Sequence, residues 1–258
     1  MTLSGRSRKG KNLLTKPEHI PWKRITVEGV AVVVSILLAF WIDTWWEDQK
    51  EARFEVVYLY ELQEDFEHNK STLEITTARL EGVIRSTLVL QKQSALASPS
   101  LPVAELNENF RSITLMPTFI PVNRAYANLT GSGDLRLIES RPLKNALAEY
   151  YAAAKETVMI QNTHEMELVQ IYEPYIIENL DFSAVALGRV DDFPLPPPVE
   201  EASILDVLAT RQFRNIAVQK WVITTDLLNQ HRQMLERTNY VLKLLELAGN
   251  ESGLKDSL

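Results

Sequence analysis

Residues 35–51, SILLAFWIDTWWEDQKE, begin as an apolar run and finish as a charged helical sequence, with Trp41, Asp43, Trp45 and Trp46 across the change. Such a stretch is the outer end of a membrane span, a signal peptide ahead of its cleavage point, or the edge of a buried core helix. Between Ile25 and Trp46 only Glu28 and Asp43 are charged, and the intervening residues 29–42, GVAVVVSILLAFWI, carry no charge. An apolar run of that length alone would suit a signal peptide or a core helix. Three features favour a span. Trp22 on one side and Trp41, Trp45 and Trp46 on the other form aromatic belts roughly 30 Å apart at the helical rise per residue. Arg24 stands one turn before Glu28, where it reaches the headgroups and pairs with that carboxylate. No small-x-small cleavage site follows, because the window reads AFWIDTWW.

Charge sets the orientation. Residues 1–24 hold seven Lys/Arg (Arg6, Arg8, Lys9, Lys11, Lys16, Lys23, Arg24) against one Glu18. Basic residues directly before a span keep that end in the cytoplasm. The expectation is a protein of a bacterial inner membrane, its N-terminus cytoplasmic and the bulk of the chain periplasmic. Of the 27 Lys/Arg and 34 Asp/Glu in the chain, 20 and 33 remain after residue 24. An acidic body excludes nucleic acid as its partner. The chain has no cysteine, so disulfides, thiolate metal sites and cysteine nucleophiles are absent.

One face of the span is small and polar. Glu28, Ala31, Ser35, Ala39 and Asp43 fall within about 120° of one another at 100° per residue. Such a face lets helices approach and hydrogen-bond, so self-association or docking on another span is expected in preference to an ion path.

Beyond Trp46 the chain reads as helix, with Leu59, Phe66, Leu73 and Leu80 on one seven-residue track and Leu62, Val83 and Leu90, with Asn69 and Thr76, on a second. SALASPSLP ends it at Pro99 and Pro102. LMPTFIP should be an extended corner. VNRAYANLTGSGDLRLI reads as a short helix stopped at Gly131 and restarted past Gly133. A helix of about 40 residues then starts at Ser140, the candidate N-cap, with a kink at Pro174. DFSAVALGRVDDFPLPPPVEEAS is a long Pro- and Asp-rich loop. One last helix is expected over 203–248, with tracks Trp221, Leu228, Leu235, Leu242 and Ala217, Thr224, His231, Thr238, Leu245.

The expected fold is therefore all-α: one N-terminal transmembrane helix continuing into an extracytoplasmic up-and-down helical bundle. Its divisions are a basic cytoplasmic arm over 1–24, a transmembrane helix over 25–46, the bundle over 47–248 and a flexible tail over 249–258.

Catalytic motifs are missing. GSG at 131–133 is too short for a phosphate loop, Ser132 does not fit G-x-S-x-G, and His164 with Glu165 and Glu167 lacks the histidine pair of a zinc protease. No cofactor and no metal site are expected. Polar residues on apolar tracks (Asn69, Thr76, Gln161, His164, Thr224 and His231) form a candidate polar core layer that fixes register or lines a ligand site. A candidate partner surface comprises the tyrosines of EYYAAAK (Tyr150, Tyr151) and IYEPYII (Tyr172, Tyr175), with Phe193 and Leu195 on the proline-rich loop.

VEGVAVVVSILLAFWIDTWWEDQKE, YLYELQEDFEHN and AYANLTGSGDLRLIESRPLKNALAEYY together resemble an uncharacterised family of bacterial single-span membrane proteins. In that family a Glu-started span ends in D/N-x-W-x-E, and a Ser-Gly-x-Leu-x-x-Ile segment follows. The resemblance covers roughly residues 27–155, through Glu28, Asp43, Trp45, Glu47, Ser132, Gly133, Leu135 and Ile138. It implies a membrane-anchored helical protein and brings no activity with it.

Two functions compete. The first is a non-enzymatic scaffold or accessory subunit of a membrane protein assembly, whose partners are the lipid bilayer, other membrane or periplasmic proteins and a possible homo-oligomer. The second is a periplasmic small-ligand sensor signalling through a separate partner.

Overall fold

The computed structural model describes residues 22–181, 183 and 203–251, with side chains placed from Thr26 onward. The basic arm up to residue 21, the side chains of Trp22 and Arg24, and the proline-rich loop with Phe193 and Leu195 lie outside the described residues. Every regular element among the described residues is helical. They are α1 (Trp22–Ser94), α2 (Val103–Ile113), α3 (Arg124–Ser132), a 3₁₀ turn (Asp134–Leu137), α4 (Arg141–Glu167), a π-helical turn (Leu168–Tyr172), α5 (Glu173–Asn179), α6 (Ser203–Ala209) and α7 (Arg211–Glu251).

The chain divides into two units, Met1–Glu51 and Ala52–Leu258. In the first, one helix is long and apolar enough to cross a membrane. Its apolar side chains from Val27 to Trp46 are all exposed, Val27, Phe40 and Trp41 among the most so. Burying a Val or Phe side chain is worth about 1.5–3 kcal/mol, so an apolar surrounding would stabilise this uncovered run.

The second unit is built on one repeated spacing. In α1 the positions Glu55, Leu59, Leu62, Phe66, Asn69, Leu73, Thr76, Leu80, Val83, Thr87, Leu90 and Ser94 follow strict 4-3 steps, and all are buried. In α4 the same steps give Leu143, Leu147, Tyr150, Ala154, Thr157, Gln161 and His164. In α7 they give Phe213, Ala217, Lys220, Thr224, Leu227, His231, Met234, Thr238, Val241, Leu245 and Ala248. A 3.5-residue period puts all of these on one stripe of each helix. The Trp221 track, the most regular one in sequence, lies off this stripe: Leu228 is buried, but Trp221 is exposed and Leu235 and Leu242 are only partly covered.

The two larger apolar clusters occupy the ends of this unit, beside a small third one of Leu80, Leu227 and Leu228. One joins Leu59, Leu62, Phe66 and Leu73 of α1 to Phe119, to Ala125 and Leu129 of α3, to the first half of α4 and to Met234–Ala248 of α7. The other joins Leu90 to α2, to Tyr172–Leu180, to α6 and to Phe213–Ile223 of α7. The chain passes between them four times. α1, α4 and α7 make three passes as helix, and residues 103–138 make the second pass as helix, extended segment and helix. Pro117 and Pro121 keep the middle of that pass out of the helical state.

Ends are fixed by side chains. Ser140 Oγ accepts from Leu143 N at 3.3 Å, with Pro142 in the first turn of α4. Asn123, at the start of α3, makes no side-chain cap bond; Asp65 of α1 supplies it, accepting from Ala125 N at 2.8 Å and from Arg124 Nη2 at 3.2 Å. Glu55 Oε1 accepts from Glu139 N at 2.7 Å, and burial raises the pKa of this carboxyl above its ordinary value. Gly133, at φ 80°, terminates α3 in the left-handed region that glycine enters without strain.

Three sequence expectations need correcting. The helix over 203–248 is two helices, because Thr210 Oγ1 donates to Val207 O at 2.9 Å and accepts from Phe213 N at 3.1 Å, ending α6 and capping α7. α7 also runs through Glu251, so the tail starts later than residue 249. In the 40-residue helix the irregularity is a π turn ahead of Pro174, with Glu173 N bonded back to Leu168 O.

Candidate functional site

The residues of interest lie between the two apolar clusters of the second unit, around the extended segment 115–123. An extended segment outside any sheet has no ladder partner, so the amides and carbonyls it does bury need side chains. Gln161 meets this need at Phe119: its Oε1 accepts from Phe119 N at 2.8 Å and its Nε2 donates to Phe119 O at 2.9 Å. Asn69 repeats the arrangement at Val122, accepting from N at 2.7 Å and donating to O at 2.9 Å. Lys220 Nζ donates to Leu115 O at 2.9 Å. Three helices thus read the backbone of one segment, while the Phe119 side chain is fully buried among them.

Gln161 also orients His231. Its Oε1 stands 2.9 Å from His231 Nε2, and the two bonds to Phe119 fix that atom as oxygen. His231 therefore carries its proton on Nε2. Nδ1 is buried with no hydrogen-bond partner, and the Phe119 ring lies edge-on at 6.2 Å. Burial lowers the His231 pKa to about 4, so the ring stays neutral at physiological pH.

All six residues of the expected polar layer are buried, and they split into three groups. Asn69, Gln161 and His231 serve the extended segment. Thr76 bonds back to its own helix, to Thr72 O at 2.9 Å and Leu73 O at 3.2 Å. His164 and Thr224 line a small cavity with Lys220, whose volume of about 10 Å³ takes one water-sized sphere. Lys220, only 2% exposed, escaped the sequence reading. The signal was available: Phe213, Lys220, Leu227, Met234, Val241 and Ala248 form an unbroken seven-residue track with lysine as its one polar member. A lysine is ordinarily solvated, which hides it.

Of the expected partner surface the four tyrosines are not exposed, and Phe193 and Leu195 lie outside the described residues. Tyr172 and Tyr175 are buried, packed with α2, α6 and the start of α7; the π turn puts Tyr172 where a regular helix would have put the exposed Ile171. The Tyr172 ring lies 5.4 Å from Lys220 Nζ, and burial raises its hydroxyl pKa well above the ordinary range. Tyr150 is fully buried and Tyr151 partly so, in a group where Phe66 meets Tyr150 at 4.6 Å and Tyr126 stacks on Tyr151 at 4.3 Å.

In the first unit Glu28, Ala31, Ser35, Ala39 and Asp43 are all exposed, as are Trp41, Trp45 and Trp46. Ser35 Oγ donates to Ala31 O at 2.8 Å, which leaves the hydroxyl oxygen able to accept from another helix. Elsewhere, an open depression of about 370 Å³ is lined by Arg141, Asn145 and Glu149 of α4 and Tyr240 of α7. No family model, no curated protein and no solved structure matches this chain.

Proposed function

We propose that the protein is a single-pass component of a bacterial inner membrane, its N-terminus cytoplasmic and its larger helical unit a periplasmic bundle. There it acts as a non-enzymatic scaffold or accessory subunit of a membrane protein assembly. The observation that carries this reading is the exposed helix of the first unit, apolar from Val27 to Trp46 and marked on one face by Glu28, Ala31, Ser35, Ala39 and Asp43. Apolar side chains satisfy a bilayer, and small and polar residues at helical spacing satisfy another helix within it. The resemblance to bacterial single-span proteins supports the same assignment.

Replacing Glu28 and Ser35 together by leucine removes two of the three polar groups of this face. In mild detergent the full chain is expected to purify as a defined oligomer or with stoichiometric partner subunits. The double variant should lose at least about tenfold in association, the equivalent of one or two interhelical hydrogen bonds. Native mass spectrometry reads both, and an unchanged assembly would remove the packing face from the proposal. A reporter that is active only outside the cytoplasm, fused after the last residue, should be active; an inactive one overturns the orientation.

The second reading, a ligand sensor, is favoured by the depression between Arg141, Glu149 and Tyr240, whose volume suits a small organic molecule. A ligand that raises the melting temperature of the parent but not of an Arg141→Ala variant would support it.

A further inference from the structure

The cavity beside Lys220 is not accounted for by the clamp on residues 115–122. The Leu115 carbonyl needs one N–H, which a neutral amide would supply, whereas lysine brings a positive charge and two further N–H bonds. Burial is the sole cause acting on this ammonium, whose pKa falls to about 8, so at neutral pH it remains largely charged. The Tyr172 ring offers its π face to Nζ but no counter-charge. A buried charge without an opposite charge is among the most costly things a core can hold.

The cavity wall complements that charge. Its polar members are Lys220, which donates, and the Thr224 hydroxyl and His164, which can donate or accept, and no carboxylate is among the lining residues. His164 Nδ1 is buried and takes no hydrogen bond within the protein, while Nε2 lies 3.9 Å from Asp226 on the opposite side of the ring. The rest of the wall is apolar, including Leu80 and Leu227. A volume of about 10 Å³ takes a single sphere and excludes phosphate, sulfate and carboxylates. A water molecule fits by size but leaves the ammonium uncompensated.

We propose that this cavity binds one halide ion, chloride under physiological conditions, held by Lys220 Nζ and the Thr224 hydroxyl against an otherwise largely apolar wall. The full chain in non-ionic detergent at pH 7 provides the test, with chloride replacing gluconate at constant ionic strength. The melting temperature should rise by about 3–5 °C for each tenfold excess of chloride over its Kd. Bromide should act in the same way and sulfate should not. Added protein should broaden the ³⁵Cl resonance, and bromide should reverse the broadening. Lys220→Met keeps the length and removes the charge. It is expected to melt higher than the parent in gluconate and to lose both responses to chloride. Thr224→Val, which keeps the ammonium, should weaken chloride about five- to tenfold through loss of one hydrogen bond. A parent that ignores chloride overturns the proposal, and so does a Lys220→Met variant that responds as the parent does, since that response is then a general salt effect.

Discussion

Replacing Gln161 by alanine should cost the folded state about 4 kcal/mol, the largest expected effect of any single polar substitution in this protein. The side chain makes three hydrogen bonds, to Phe119 N, Phe119 O and His231 Nε2, all between buried groups. Each buried group left without a partner costs about 1–3 kcal/mol, and the three are not additive because the segment shifts to recover some of its bonds. In a unit of this size the melting temperature should drop by roughly 8–16 °C. Gln161→Glu discriminates the mechanism. A carboxylate still accepts from Phe119 N and His231 but has no hydrogen for Phe119 O, so it should be nearly as damaging despite its equal size. Ile120→Ala is the control: one residue from the clamp but 75% exposed, it should change stability by less than about 0.5 kcal/mol. Thermal and urea denaturation of the full chain in detergent measures all three. A Gln161→Ala variant within 1 kcal/mol of the parent would mean that water replaces the clamp without penalty.

The clamp also explains which parts of the fold were legible in the sequence. The Leu59–Phe66–Leu73–Leu80 track declared α1 because apolar side chains at a 3.5-residue period have no other good use. Pro117 and Pro121 declared an extended corner, and Ser140 and Gly133 declared helix ends, since each is a local device. Asn69, Gln161 and His231 were legible as buried, from their place on apolar tracks, but not in their role. Asn69 and Gln161 bond the backbone of a segment 53 and 42 positions distant, with His231 held in turn by Gln161, and a backbone has no sequence signature. Lys220 was hidden by its type, whereas the rest of the α7 seam, Ala217, Thr224, His231, Thr238 and Leu245, was legible as the second track of the last helix. Tyr172 failed for another reason. The π turn moves the buried position from Ile171 to Tyr172, which no spacing rule for a regular helix foresees, whereas Tyr175 lies on the regular continuation of the α4 stripe and was open to a reading from spacing.

His231 gives the second large effect, and it is conditional on pH. The ring is neutral in the folded state, with its pKa lowered to about 4 by burial, against about 6.5 in the unfolded chain. Above pH 6.5 both states are neutral and its contribution is fully present. Between pH 6.5 and 4 the unfolded chain takes up a proton that the folded state refuses, so stability falls as pH falls. Below about pH 4 both states are protonated and the loss stops growing. The full loss is about 3 kcal/mol, at 1.36 kcal/mol per pKa unit. Carboxylates also titrate in this range, so the comparison must be a difference. His231→Gln retains an N–H donor where Nε2–H points at Gln161 Oε1 but cannot titrate. The gap in unfolding free energy between the parent and this variant should shift by about 3 kcal/mol from pH 7 to pH 4, in favour of the variant at acid pH. The carboxylates, common to both proteins, cancel. A parallel pair of stability curves would show that the ring is protonated in place, and the assignment of a bare, buried Nδ1 would then fail.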